Sequence, residues 1–216
     1  MRALRTGIIL ALTIMTALAA VAMASSSLET VSGENYTGRL SDNHILLESP
    51  WAGPLPIATS FVAKVYTQPG RLELVGGDVV SGIIRNERFN FQADFADIVI
   101  EPAKVKTLVL EPVKSEGHPE DVTVVMDNGD VVRGKLTVDE SRRSAISLVT
   151  SYGGVVNVFL KAVAAIKRAD PKTYEVLMRD GSRMSGSILN TSYVLSTEYA
   201  ELVIPRTAVT SFSFPK

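Results

Sequence analysis

Between Leu28 and Phe214 the chain keeps returning to short stretches in which every second residue is apolar. Val122, Val124 and Met126 alternate in this way, as do Leu72 with Leu74, and Tyr174 with Val176 and Met178. A period of two puts alternate side chains on one face, so each stretch predicts a strand with one buried side. Further strands are predicted at Phe89 and Phe91, Ile146 and Leu148, and Tyr193 and Leu195. Others end near Ile57, Ile100, Val158 and Ile204, and a last set carries Leu108 and Leu110, or Phe212 and Phe214. Ala164 to Ala169, AAIKRA, has the composition for one helical turn among neighbours that form helices poorly.

These stretches fall into four copies of one unit. They begin LETVSGENYTGRL at Leu28, LELVGGDVVSGII at Leu72, VTVVMDNGDVVRGKL at Val122 and YEVLMRDGSRMSGSI at Tyr174. In each, a glycine closes a polar turn and a second glycine follows five positions later: Gly33 and Gly38, Gly77 and Gly82, Gly129 and Gly134, Gly181 and Gly186. Gly76-Gly77, Asn128-Gly129 and Asp180-Gly181 are dipeptides that accept positive φ in a two-residue hairpin turn. The second glycine lies inside the return strand, where it is expected to allow a bend or bulge that curls a small sheet into a barrel.

The second halves of the copies also match. An aromatic residue sits in a short turn at Trp51, Phe95, Tyr152 and Tyr199, three of them 13 residues after their glycine. Tyr152 lies 18 residues after Gly134, because the third copy carries extra polar residues around Glu140-Ser141-Arg142-Arg143-Ser144. A strand follows (PLPI, DIVIEP, VVNVFL or ELVIP), then a valine 10 or 11 residues after the aromatic: Val62, Val105, Val163 and Val209. Thr67-Gln68-Pro69-Gly70 and Ala169-Asp170-Pro171-Lys172 punctuate the chain, and the longest break is EPVKSEGHPE from Glu111 to Glu120. The expected organisation is a pair of copies over 25–112, a linker at 113–120, and a second pair over 121–216.

Residues 1–24 read as a signal peptide. Arg2 and Arg5 precede an apolar run from Gly7 to Ala24, and Ala22 and Ala24 supply the small-x-small cleavage pattern. The rival is a retained anchor, since the run is at the lower limit for crossing a bilayer. Its Ala and Thr content, and the lack of positive charge after it, favour cleavage. No later run is long enough to cross a membrane as a helix, so a periplasmic or secreted protein is expected. The chain has no cysteine, and 22 Lys and Arg stand against 23 Asp and Glu. That balance offers no basic excess for nucleic acid.

The expected fold class is therefore all-β: four tandem repeats of about 45 residues after a signal peptide. The hairpin glycine, internal glycine, aromatic turn and closing valine together resemble an Sm-like or SH3-like small barrel, or a paired-barrel sheet. Asn128-Gly129-Asp130 with Gly134, and Asp180-Gly181 with Gly186, are also similar to NGD-x-x-x-G repeats of exported bacterial proteins of unassigned function. The resemblance implies shape and edge-to-edge association. It does not imply RNA binding: Sm-like proteins use an Asp and Asn in one loop and Arg-Gly in a later one. Here the later loop reads Glu101-Pro102-Ala103-Lys104 or Pro205-Arg206-Thr207-Ala208.

Candidate chemistry is sparse. His44 and His118 are the only histidines, too few and too far apart for a zinc site. Asp127-Asn128-Gly129-Asp130 has the oxygens of a calcium loop, but hairpin formation accounts for it and the other copies do not share the set. Asp94 with Asp97, and Glu198 with Glu201, read as exposed turn charges and not as an acid/base pair. No serine sits in a nucleophile elbow, and no glycine-rich loop opens a helix. Asn35-Tyr36-Thr37 and Asn190-Thr191-Ser192 match glycosylation acceptors, which matter only in a eukaryotic host. No catalytic residue, metal or cofactor is expected. The one recurring set is Trp51, Phe95, Tyr152 and Tyr199, read first as plugs of the barrel ends and alternatively as a row of rings for glycans or a partner chain. The expected role is a non-enzymatic binding or scaffold module of the cell envelope, meeting a protein partner or itself through sheet edges. Cell-wall carbohydrate is the alternative ligand.

Overall fold

The computed structural model describes residues 25–110, 121–139, 141, 143–150 and 154–215. The expectations placed on residues 1–24, on the linker 113–120, on His118 and on Tyr152 lie outside the described residues. Within them the chain is all-β, its only helical elements being three-residue 3-10 turns.

The first segment forms β1 (Ser26–Thr30), β2 (Asn35–Leu40), β3 (His44–Ser49), β4 (Gly53–Ala58) and β5 (Val62–Tyr66). The second forms β6 (Arg71–Leu74), β7 (Val79–Ser81), β8 (Ile83–Ile84), β9 (Phe89–Ala93), β10 (Asp97–Ile100) and β11 (Val105–Val109). The third forms β12 (Val122–Met126), β13 (Val131–Val138), β14 (Ala145–Thr150), β15 (Val155–Phe159) and β16 (Val163–Arg168). The fourth forms β17 (Tyr174–Met178), β18 (Arg183–Ile188), β19 (Ser192–Ser196), β20 (Glu201–Pro205) and β21 (Val209–Ser213). A 3-10 turn precedes the closing strand of each, at Thr59–Phe61, Pro102–Lys104, Leu160–Ala162 and Arg206–Ala208. The valine after each turn, Val62, Val105, Val163 or Val209, is buried and opens that strand.

The hairpin glycines take positive φ, 89° at Gly33, 82° at Gly77, 86° at Gly129 and 87° at Gly181. The two-residue turns expected are corrected, because the residue before each glycine keeps negative φ. Bonds such as Gly129 N–H to Met126 O and Met126 N–H to Asp130 O close three-residue loops that end on the glycine. The internal glycines do something different from the bend expected of them. At Gly38, Gly82, Gly134 and Gly186 a Cβ would stand 2.1–2.4 Å from a backbone carbonyl oxygen of Gln92, Glu48, Ser196 and Val149 respectively. Each carbonyl belongs to the neighbouring segment. At the glycine the strand leaves its own hairpin partner and is crossed by the neighbour's third strand.

The pairings follow from these crossings. β2 pairs first with β1 and then with β9, while β3 pairs with β8. In the second half β13 pairs with β12 and then β19, and β18 pairs with β17 and then β14. Closing strands are exchanged too: β11 lies against β1 and β5, and β21 against β12 and β16. Segments one with two, and three with four, are therefore interlocked.

The expectation of small closed barrels is corrected here. The sheets are open, because each second strand completes its neighbour's sheet instead of closing its own. Among the described residues β4, β10, β15 and β20 each pair on one side only, with β3, β9, β14 and β19. The AAIKRA stretch is also corrected: it lies mainly in β16, held between β17 and β21 with Ile166 buried, so ladder pairing overrides its helical composition. Core side chains such as Leu28, Ile45, Phe89, Val124, Ile146, Val176 and Phe212 are buried in one apolar cluster.

Replacing Gly134 with alanine should destabilise the protein by about 2 kcal/mol or more, because Ser196 O and the side chain of Leu195 leave no room for a Cβ. Gly76→Ala, with nothing within 4 Å of the new carbon, should shift stability by less than about 1 kcal/mol. Urea midpoints of the two variants check this, and equal effects would contradict it.

Candidate functional site

Two of the four aromatic residues grouped from the sequence, Trp51 and Tyr199, meet buried aspartates at the contact between the two halves. There the second strand of segment two faces that of segment three, through the antiparallel bridge Val79↔Val131. Asp78 and Asp130 directly follow the positive-φ glycines Gly77 and Gly129. The turns aim both carboxylates across the contact, and both are buried, 6% and 1% exposed.

Each carboxylate accepts hydrogen bonds from the opposite half. Asp130 Oδ2 accepts from the Ser81 backbone N–H at 2.9 Å and from Trp51 Nε1 at 2.9 Å. Asn128 Nδ2 of its own turn adds a third at 3.0 Å. Asp78 Oδ2 accepts from the Arg133 backbone N–H at 3.1 Å and from the Tyr199 hydroxyl at 3.4 Å. Its Oδ1 takes the Arg133 guanidinium at 2.9 Å. The two sets mirror one another: an aspartate after the glycine, a backbone N–H three residues along the opposite strand, and an aromatic donor across the junction. Asp78 has both oxygens occupied, whereas Asp130 Oδ1 is buried with no hydrogen-bond partner among the described residues. The three donors on Oδ2 therefore carry the compensation for burying Asp130.

Burial pushes the Asp78 carboxyl above the usual range, and the Arg133 backbone and guanidinium hold it back only in part. Desolvation, with the charge of Asp78 next, raises the Tyr199 phenol, which therefore stays a hydrogen-bond donor. The cleft lined by Phe61, Val75, Asp78, Arg133 and Tyr199 encloses about 30 Å³. That is water-sized and far below a small-molecule pocket.

Trp51 and Tyr199 are thus brought together as junction anchors. Phe95 is not; it is 74% exposed, with its ring 6.1 Å from that of Tyr36 at the far end of the first half. Asp94 and Asp97 flank it, exposed. Glu198 lines the junction cleft and Glu201 is exposed on β20. His44 is exposed at the start of β3. Among the described residues no three His, Asp or Glu side chains gather as metal ligands, and no helix is long and apolar enough to cross a membrane.

Sequence reasoning missed the roles of Asp78 and Asp130. The signal was present: Gly-Asp-Val-Val occurs at Gly77 and at Gly129, whereas the outer turns read Gly33-Glu34-Asn35-Tyr36 and Gly181-Ser182-Arg183-Met184. The tetrapeptide marks the two turns that face each other.

The other distinctive surface is the set of one-sided strands. β4 carries Pro54 and Pro56, and β20 ends on Pro205. Proline removes a donor and blunts an edge. β10 and β15 contain no proline and expose Val99, Val155 and Phe159, each more than half accessible.

The fold and this junction define an all-β protein of two interlocked strand assemblies clasped by a pair of buried aspartates. No protein-family model, no curated protein and no solved structure matches the chain.

The Asp78 shift gives a pH dependence of definite sign. A carboxyl whose folded pKa lies above its unfolded value of about 3.9 stabilises the fold most when protonated. That contribution falls as pH rises through the folded value. The urea-midpoint advantage of wild type over Asp78→Asn should therefore be greatest near the acid end and shrink towards neutrality. A difference that grows with pH would contradict the burial-dominated shift.

Proposed function

We propose that this is an exported, non-enzymatic β-repeat protein that serves as a binding or scaffold module in the cell envelope, meeting its partner by strand addition. The observation that carries this reading is the contrast among the one-sided strands. Two are blunted by proline, and two, β10 and β15, present apolar side chains beside a row of backbone donors and acceptors that no other strand uses among the described residues. An added strand gains main-chain hydrogen bonds from such an edge and specificity from alternate side chains.

Further support is the use of the buried polar groups, which hold the halves together instead of opening into a pocket. The four-copy reading of the sequence gives the module its logic, since repeated units offer repeated edges. The N-terminal apolar run with Arg2 and Arg5 supports export. A glycan-stacking role needs exposed rings in a row, whereas Trp51 and Tyr199 are engaged at the junction. A protein strand is therefore the better-supported partner.

A photo-reactive residue at Val99 or Val155 should capture envelope protein, while the same group at Pro54 should capture little. Val99→Lys should lower the yield several-fold without altering the fold. Equal capture at all three positions, no capture at any, or retention of the chain in the cytoplasm would overturn the reading.

A further inference from the structure

Each half has two hairpin turns that carry a positive-φ glycine, Gly33 and Gly77 in the first half and Gly129 and Gly181 in the second. One turn of each half is spent in the internal junction. The remaining two mark the β2 end, with Phe95, and the β18 end. β2 and β18 occupy the places in their segments that β7 and β13 occupy at the junction, directly after a positive-φ glycine. We propose that the β2 end of one chain docks on the β18 end of a second copy of this chain, head to tail, repeating the internal junction between molecules. This goes beyond the binding-module reading by naming a partner and a surface.

Three observations carry it. First, polarity of assembly: the junction joins the second segment of one half to the first segment of the next, and β18 meeting β2 of another copy continues that order. Second, Phe95 stands beside β2 as Tyr199 stands beside β13, yet Phe95 is 74% exposed. Tyr199 reaches the residue after the opposing glycine, Asp78; the counterpart facing Phe95 is Ser182, which needs no aromatic donor. Val31, 56% exposed in the same β2 hairpin, adds to the uncovered apolar surface.

Third, the charges complement. The β2 end presents Glu34 and Asp94, both exposed, in the places of Asp130 and Glu198. The β18 end presents Arg179 and Arg183, also exposed, in the places of Val75 and Val79. Docked, Glu34 would face the backbone of Ser185 as Asp130 faces Ser81, with Arg183 beside it, and Arg179 would meet Asp94 and Phe95. Two β2 ends together would instead set acid against acid. Such a contact joins unlike surfaces and does not close on itself at two copies, so it yields growing chains.

Sedimentation equilibrium over a concentration series tests the proposal, with circular dichroism and the emission of the single tryptophan, Trp51, reporting that each variant is folded. Wild type should grow past the dimer with concentration. Glu34→Arg and Arg183→Glu should each weaken association at least about tenfold. An equimolar mixture of the two should recover association, because the unaltered β2 end of Arg183→Glu meets the unaltered β18 end of Glu34→Arg and the altered ends are again of opposite charge. A wild type that stays monomeric while still yielding the strand-edge adducts would sink this inference and leave the binding-module reading standing. Loss of association in Glu34→Arg but not in Arg183→Glu would show two β2 ends pairing and overturn it. Failure of the mixture to associate would also do so.

Discussion

The architecture depends on two backbones passing closer than any side chain allows. At Gly38, Gly82, Gly134 and Gly186 a strand of one segment runs against a carbonyl of its neighbour at a distance only a hydrogen can occupy. That crossing lets one strand serve two sheets in succession: its own hairpin first, its neighbour's third strand afterwards. Without it, a segment would keep its apolar face to itself and leave it half covered. With it, side chains such as Leu47 and Phe91 pack in a core contributed by both members of a pair.

Once segments are interlocked in pairs, a second problem is how two pairs meet. The solution is polar at its centre. Val79 and Val131 bring the strands together, and Asp78 and Asp130 each collect an N–H from the opposing backbone and a donor from an aromatic turn. A buried carboxylate is costly without partners, and three of the four oxygens find them here, Asp130 Oδ1 being the exception among the described residues. The arrangement therefore favours one register over a slipped one. The aromatic turns bind the halves because their rings carry a donor: indole N–H at Trp51, phenol O–H at Tyr199.

Much of this was legible in the residues. Period-two stretches marked the strands, Asn-Gly, Asp-Gly and Gly-Gly marked the turns, and the valines at 62, 105, 163 and 209 marked the closing strands. What could not be read was which strand pairs with which, because alternation specifies a buried face and not the partner that buries it. For that reason the internal glycines read as bends in the sequence, when they are crossings. The 3-10 turns were not read either; Thr59–Phe61 and Leu160–Ala162 carry no distinctive composition. Trp51 and Tyr199 were singled out as rings, yet the property that places them is the donor each carries. The aspartates that receive those donors looked like ordinary turn residues, and only the repeated Gly-Asp-Val-Val set them apart.

The central claim is that the folding unit is the interlocked pair and not the single segment. The most direct measurement compares residues 25–110 with residues 25–70 as separate polypeptides, by circular dichroism and urea titration. The longer one should fold, with a single cooperative transition, and the shorter one should show none, since β2 and β3 then lack β9 and β8. A shorter fragment that unfolds cooperatively by itself would contradict the account.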